Sequence, residues 1–128
     1  MGNHKTPVAL KGRAYRFSVS TIEFIEEVST KRIFFSVLDQ LLRSSTSIGA
    51  NLVEAKSASF KLDFIKYYQI ALKSANETKY WLYLIRDAIK PKSEKLPILI
   101  KEIDEISKII AGCVISLKKN NDQQKTGV

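Results

Sequence analysis

The sequence has one cysteine and one histidine among 128 residues, and this scarcity argues against several kinds of site. A single cysteine, Cys113, cannot form an intramolecular disulfide, so we expect a reducing compartment and a cytoplasmic protein. The only histidine, His4, cannot supply the two Glu-x-x-His pairs of a di-iron bundle or a histidine base for a buried nucleophile. We therefore predict no catalytic residue, metal, cofactor or small-molecule substrate, and we interpret Cys113 as a small buried hydrophobe.

Proline and glycine are also scarce, with three prolines and five glycines in the chain. Residues 13–90 contain no proline and one glycine, Gly49, which favours long helices over many short strands. The longest apolar stretch, residues 109–117, is interrupted by Gly112 and Ser116. It is far shorter than the ~20 residues of a membrane-spanning helix, so we expect no membrane segment.

The charge is strongly positive, with 21 basic and 13 acidic residues and a formal net charge of +8. Residues 1–16 contain no acid, and we predict a flexible basic arm over residues 1–12 and a flexible tail over residues 120–128. Such an excess is typical either of a soluble protein with disordered termini or of one that binds a polyanion such as RNA or DNA. The predicted nucleic-acid contacts are Lys5, Lys11, Arg13, Arg16, Lys90, Lys92 and Lys95.

Four amphipathic segments account for the remainder of the chain, residues 13–119. Helix 1 is predicted over residues 13–28, followed by a connection over residues 29–35. Helix 2 is predicted to begin near Ser36, because Ser36 and Asp39 have the spacing of a capping box. Its apolar face has steps of three and four residues: Leu38, Leu41, Leu42, Ser45, Ile48, Gly49 and Leu52.

Helix 3 is predicted over residues 60–90, with Ser59 as its N-cap and Pro91 as its stop. Its predicted core face is Phe64, Tyr67, Ala71, Ser74, Thr78, Leu82, Ile85 and Ile89. Helix 4 is predicted over residues 96–119, with a heptad seam of Leu99, Ile103, Ile106, Ile110, Cys113 and Leu117. Short connections between long helices predict an all-α, antiparallel, up-down-up-down four-helix bundle. Further apolar residues on helix 4 exceed what one bundle covers, which predicts a homo-oligomer.

One stripe of helix 2 is polar and lies roughly opposite the apolar face: Gln40, Arg43, Ser47, Asn51 and Glu54. A solvated face is the ordinary explanation, and a polar interface between helices or subunits is the alternative. Glu54 and Glu77 could be imagined as a catalytic carboxylate pair, but we interpret both as structural acids.

Residues 39–54 carry this stripe and resemble the signature of the 23S rRNA intervening-sequence family, also labelled S23 ribosomal proteins. That signature is approximately Q-x-x-R-x-x-x-S-I-x-x-N-I-x-E-G. The resemblance continues over residues 64–77, where the family shows an aromatic start and then I-A-x-G-S-x-x-E. The sequence departs from the family at Gly49, Ala55 and Lys73, and none of these changes removes a charged family residue.

The resemblance implies a four-helix bundle that assembles as a ring-like homo-oligomer, often a pentamer. It also implies a distant relationship to the accessory protein of diversity-generating retroelements. Together with the stripe, it predicts a structural polar network of Gln40, Arg43, Ser47, Asn51, Glu54, Ser74 and Glu77.

Two functional hypotheses remain open. One is a non-enzymatic oligomer that associates with RNA or DNA through its basic surface, without sequence preference. The other is a protein–protein interaction scaffold or accessory subunit with no nucleic-acid contact.

Overall fold

The computed structural model describes the backbone of residues 7–28 and 30–126, and the side chains of residues 9–28 and 30–123. The four helices are α1 (Pro7–Glu27), α2 (Phe35–Lys56), α3 (Lys61–Leu84) and α4 (Lys95–Thr126). A 3₁₀ turn, Arg32–Phe34, precedes α2, and a π-helical turn, Ile85–Ile89, extends α3. Within these ranges the chain forms no strand, so the prediction of an all-α fold is confirmed.

The four helices form an antiparallel bundle in which α1 packs against α2 and α4, and α3 packs against the same two helices. The most extensive contact is between α2 and α3. Because consecutive helices are joined by short connections, they run up-down-up-down, as predicted. The α1–α2 connection and the α3–α4 turn therefore share one end of the bundle.

The core is built from all four helices, and its fully buried side chains include Phe24, Leu41, Leu82 and Ile103. The heptad seam of α4 is confirmed from Leu99 to Ile110, but Cys113 and Leu117 are only partly buried. Two other helix faces are rotated from the prediction. In α2, Leu42 is 36% exposed and Ser44 is buried; in α3, Ile65 and Tyr68 are buried while Phe64 and Tyr67 pack at the margin.

The first helix begins at Pro7, so the prediction that residues 7–12 belong to a flexible arm is wrong. Leu10 and Ala14 are completely buried and continue the apolar face of Phe17 and Phe24 toward the N-terminus. Proline suits the first turn of a helix, where its missing N–H has no intrahelical partner. Residues 1–6 lie outside the described residues.

The last helix continues to Thr126, so residues 120–126 are helical rather than a flexible tail. Once a helix is nucleated, each further residue adds a hydrogen bond at little cost, and no proline or glycine interrupts residues 113–126. Residues 127 and 128 lie outside the described residues.

Both predicted caps are wrong. Ser36 already lies within α2, whose N-cap is Phe34 and has no side-chain cap, because the preceding 3₁₀ turn starts the helix earlier. Phe60, in an extended conformation, replaces Ser59 as the N-cap of α3. The predicted stop at Pro91 holds: Lys90 has a left-handed backbone (φ 54°), and its N–H donates to the carbonyl of Ile85 at 2.9 Å.

Candidate nucleic-acid interface

Three residues of the predicted polar network meet in a seam between α2 and α3. The Ser74 hydroxyl donates to the Ser47 hydroxyl at 2.9 Å. The Asn51 amide donates to the carbonyl of Ser47 at 2.8 Å and to its hydroxyl at 3.0 Å. These short side chains let the two helices approach closely, and each hydroxyl is satisfied, which a buried polar group requires.

A second polar contact extends this seam one turn further and was not predicted. Thr78, which is fully buried, donates to the carbonyl of Ser74 at 2.8 Å, and its oxygen lies 3.0 Å from the hydroxyl of Ser44. The sequence signal was present, since Thr78 is a polar residue on the predicted core face of helix 3 and Ser44 lies about one turn before Ser47 on helix 2.

The other four residues of the predicted network lie outside the seam: Gln40, Arg43, Glu54 and Glu77 are exposed. Arg43 forms an ion pair with Asp39 at 3.0 Å, one turn earlier on α2. A network that joins these four residues across a subunit interface stays a prediction.

Arg13, predicted as a nucleic-acid contact, belongs instead to a clamp between α1 and α4. Its guanidinium donates two hydrogen bonds to Glu102, at 2.9 and 2.6 Å, and one to Glu105 at 2.6 Å. Only 14% of the Arg13 side chain is exposed. Its charge is therefore matched by carboxylates within the chain, so we withdraw Arg13 from the nucleic-acid contacts.

The protonation of these groups follows from the same geometry. Hydrogen bonding to Glu102 raises the pKa of Arg13, and the Arg13 guanidinium lowers the pKa of Glu105. Both shifts favour the charged forms, as expected for a short charge-assisted pair.

The α3–α4 turn carries the second predicted group of cations, and these lie at one end of the bundle. Lys90 and Lys92 are exposed, and Lys95 lies 3.7 Å from Glu27 at the end of α1. A shallow depression of about 610 Å³ lies between Glu27 and residues 91–95. Lys95 is thus partly neutralised. Lys90 and Lys92 form no ion pair with any described residue, although Lys90 is close enough to Asp87 to help lower its pKa.

The sequence analysis missed two further cations at this end, Lys31 and Arg32 in the α1–α2 connection. Both are exposed, and neither forms an ion pair with a described residue. The up-down-up-down topology was the signal that could have found them, because it places this connection beside the α3–α4 turn. We call Lys31, Arg32, Lys90 and Lys92 the basic end.

The structure does not bring the remaining predicted contacts to the basic end. Lys11 lies in the second turn of α1, toward the opposite end, and Arg16 is exposed near the middle of the same helix. Lys5 and His4 lie outside the described residues.

Cys113 borders a cavity of about 540 Å³ between α3 and α4, which Phe64, Tyr68 and Leu117 also line. Burial raises the pKa of the Cys113 thiol and of the Tyr68 hydroxyl. Among the described side chains, no three of the residue types that ligate metals are grouped closely enough to hold an ion. No helix in the described part of the chain is long and apolar enough to cross a membrane.

These features define a basic four-helix-bundle protein with a polar seam between two of its helices. The family described as 23S rRNA-intervening sequence protein matches residues 9–112, so the chain belongs to that family. No curated protein matches the chain.

Among solved structures, the chain is similar to a protein of unknown function from the S23 ribosomal protein family of Bacteroides thetaiotaomicron VPI-5482, whose crystal structure was determined at 1.70 Å. The two are 33% identical, and the similarity covers 84% of this chain and 96% of the other, with a TM-score of 0.76. The resemblance noted in the sequence is thus confirmed at the level of family and fold.

Proposed function

We propose that the protein is a non-enzymatic, cytoplasmic homo-oligomer that binds RNA or DNA without sequence preference through its basic end. One observation supports this proposal most directly. The four cations of the basic end, Lys31, Arg32, Lys90 and Lys92, are exposed and have no ion-pair partner among the described residues. Unpaired cations on one surface attract phosphates, and phosphate contacts release condensed counterions from the nucleic acid.

Assembly would multiply this charge, because each copy adds its own basic end. A closed ring, a pentamer by family resemblance, would present the basic ends together on one rim if the copies share one orientation. Several weak phosphate contacts on a single strand then act at high effective concentration. None of the described helices carries a nucleic-acid recognition motif, so we expect charge to determine affinity and bases to contribute little.

Fluorescence anisotropy with a labelled mixed-sequence single-stranded RNA tests this proposal. The key variant combines Arg32→Glu, Lys90→Glu and Lys92→Glu. The matched control, Lys56→Glu, Lys66→Glu and Lys101→Glu, makes the same change in net charge at exposed sites on other surfaces. We expect a dissociation constant of ~10⁻⁵ M for the wild type at moderate salt, and at least tenfold weaker binding for the key variant than for the control.

The salt dependence gives a second readout. Each lost phosphate contact should reduce the slope of log K against log salt by about 0.7 for a single strand, so the key variant should show a shallower slope. Equal affinities of the two triple variants would contradict the basic end as the site. Absence of binding by the wild type at low salt would contradict the proposal as a whole.

A second candidate is a protein–protein interaction scaffold, and exposed apolar side chains favour it. Tyr15, Ile33 and Phe60 are each at least 70% exposed, and exposed aromatic side chains are enriched where proteins contact one another. This hypothesis predicts specific protein contacts and no nucleic-acid binding at low salt, so the same titration separates the two.

A further inference from the structure

The cavity between α3 and α4 that Cys113 borders has mostly apolar walls and a volume of about 540 Å³, a size typical of small-molecule sites. On the α3 side, the rings of Phe64 and Tyr68 stack with their centroids 4.9 Å apart. On the α4 side, the partly buried Ile109 and Leu117 line the cavity. Walls of this kind favour a ligand with a planar apolar body.

The hydroxyl of Tyr68 is a polar group that the bundle leaves without a partner. Only 3% of Tyr68 is exposed, yet it forms no hydrogen bond with any described residue. Among the described side chains, no fully buried oxygen or nitrogen lacks a partner, so this hydroxyl must reach the cavity that Tyr68 lines. Burial raises the pKa of Tyr68, which keeps the hydroxyl protonated and able to donate. Such a donor requires an acceptor in the cavity.

The charges around the cavity favour a neutral ligand. Lys108 is the ionised side chain among the lining residues, but it pairs with Asp104 at 3.0 Å and is 75% exposed. Burial raises the pKa of the Cys113 thiol, so the thiol is uncharged near neutral pH. A charged molecule would therefore lose hydration in this cavity without gaining an unpaired partner of opposite charge.

We propose that the cavity binds a small, uncharged aromatic molecule with one hydrogen-bond acceptor, a carbonyl oxygen or a ring nitrogen. The ring system packs against Phe64, Ile109 and Leu117, and the acceptor receives a hydrogen bond from the Tyr68 hydroxyl. Because both Tyr68 and Cys113 keep their protons, neither lining group acts as a base. The molecule is a ligand rather than a substrate.

The cavity lies far from the basic end. Helix α4 begins at Lys95, whose ammonium lies beside Glu27 at that end. At a rise of about 1.5 Å per residue, the cavity residues 108–117 lie roughly 20 to 33 Å further along the helix. This inference therefore goes beyond the proposed function and does not depend on it.

Gly112 offers a way to fill the cavity without disturbing the bundle. It lines the cavity, and a side-chain carbon added there would meet no atom of another residue within 4 Å, the backbone of its own helix aside. Gly112→Leu should occupy the binding space and also favour helix. The matched control is Ala50→Leu, which adds the same side chain at an exposed site on α2. Tyr68→Phe removes only the donor.

The probe is quinoline, an aromatic molecule with one ring nitrogen, titrated into the full chain at about pH 8 and followed by ¹⁵N chemical shifts. We expect a dissociation constant of ~10⁻³ M, appropriate for about ten non-hydrogen atoms. Tyr68→Phe should bind about threefold to tenfold more weakly, the value of one neutral hydrogen bond. Gly112→Leu should bind at least tenfold more weakly, and Ala50→Leu should match the wild type.

Two further readouts locate the ligand and test its charge. Saturating quinoline should slow the alkylation of Cys113 by iodoacetamide at least twofold, because the thiol borders the occupied space. Quinoline-4-carboxylate, which is anionic at this pH, should bind at least fivefold more weakly than quinoline. Equal binding of the two probes would contradict a site for neutral ligands.

The inference would be overturned if the wild type showed no shift changes at ~5 mM quinoline, several times the expected dissociation constant. Equal affinities of Gly112→Leu and Ala50→Leu would overturn it as well, since binding would then lie outside the cavity. Far-UV circular dichroism checks the fold of each variant. If Gly112→Leu loses helix, Tyr68→Phe decides alone, and an affinity equal to that of the wild type contradicts the site.

Discussion

At the scale of single residues, Arg13 is the clearest case in which structure changed a functional prediction into a structural one. Its guanidinium forms a bidentate pair with Glu102 and also donates to Glu105, and these contacts join α1 to α4. Arginine suits this position because its planar donors match a carboxylate, which a lysine ammonium cannot do.

Replacing Arg13 by alanine should therefore lower the free energy of unfolding by ~1–3 kcal/mol, the usual range for hydrogen bonds to charged groups that lose a partner. Arg13→Lys should recover only part of this loss. Urea denaturation followed by circular dichroism measures both, and Lys108→Ala, which removes an exposed ion pair on α4, should change little. Equal effects of Arg13→Ala and Lys108→Ala would show that the clamp contributes no more than a surface pair.

Cys113 provides a second prediction at this scale. The thiol is partly buried beside Tyr68, and burial raises its pKa, so it is protonated near neutral pH. Because the thiolate is the nucleophile, iodoacetamide should alkylate the native protein at pH 8 at least several-fold more slowly than the urea-unfolded protein. Mass spectrometry over time measures the rate. A native protein that reacts as fast as the unfolded chain would contradict this.

At the scale of helices, the α2–α3 seam combines close approach with satisfied polar groups. The prediction concerns Ser47 and Ser74, whose hydroxyls bond at 2.9 Å. Each alanine substitution leaves the other hydroxyl without this partner, and we expect each to destabilise by ~1 kcal/mol. The double variant should lose less stability than the sum of the two single losses, because it removes both hydroxyls and leaves a small apolar contact. Strict additivity in this double-mutant cycle would show that the two hydroxyls are not coupled.

The helices themselves could be predicted from the sequence because steps of three and four residues persist along each of them, as at Leu99, Ile103 and Ile106. Their ends were less predictable. Helix 1 starts at Pro7, since the burial of Leu10 depends on tertiary packing that local composition does not reveal. The two caps were missed for different reasons. A 3₁₀ turn begins α2 ahead of Ser36, and the extended backbone of Phe60 places the N-cap of α3 one residue after Ser59.

The candidate site was only partly predictable for a similar reason. The cations of the α3–α4 turn are adjacent in sequence, so Lys90 and Lys92 could be found as a cluster. Lys31 and Arg32 join them only through topology, and the neutralisation of Arg13 depends on residues about ninety positions away. A count of charges along the sequence therefore overestimates how many cations of α1 are available to a nucleic acid. At the basic end the same count underestimates that number.

At the scale of the whole molecule, the balance of 21 basic and 13 acidic residues makes stability depend on pH. Ion pairs lower the pKa of Asp87, Asp104 and Glu105, through Arg86, Lys108 and Arg13 respectively. A carboxyl group whose pKa is lower when folded binds fewer protons in the native state than in the unfolded state. Its contribution is therefore present above the unfolded pKa and is lost as pH falls through the folded value.

We accordingly expect the melting temperature to be nearly constant from pH 7 to about pH 5 and to fall below about pH 4.5, where unfolded carboxyl groups begin to take up protons. Protonation also removes the negative charges that offset the chain's cations, so self-repulsion adds to the loss. Thermal unfolding by circular dichroism between pH 3 and pH 7 measures the curve. The Arg13→Ala variant should show a smaller drop, because Glu105 loses the guanidinium that lowers its pKa most. A melting temperature that is unchanged at pH 3 would show that carboxylate protonation does not affect the stability of the bundle. An identical drop in the variant would show that the Arg13 clamp contributes nothing to the pH dependence.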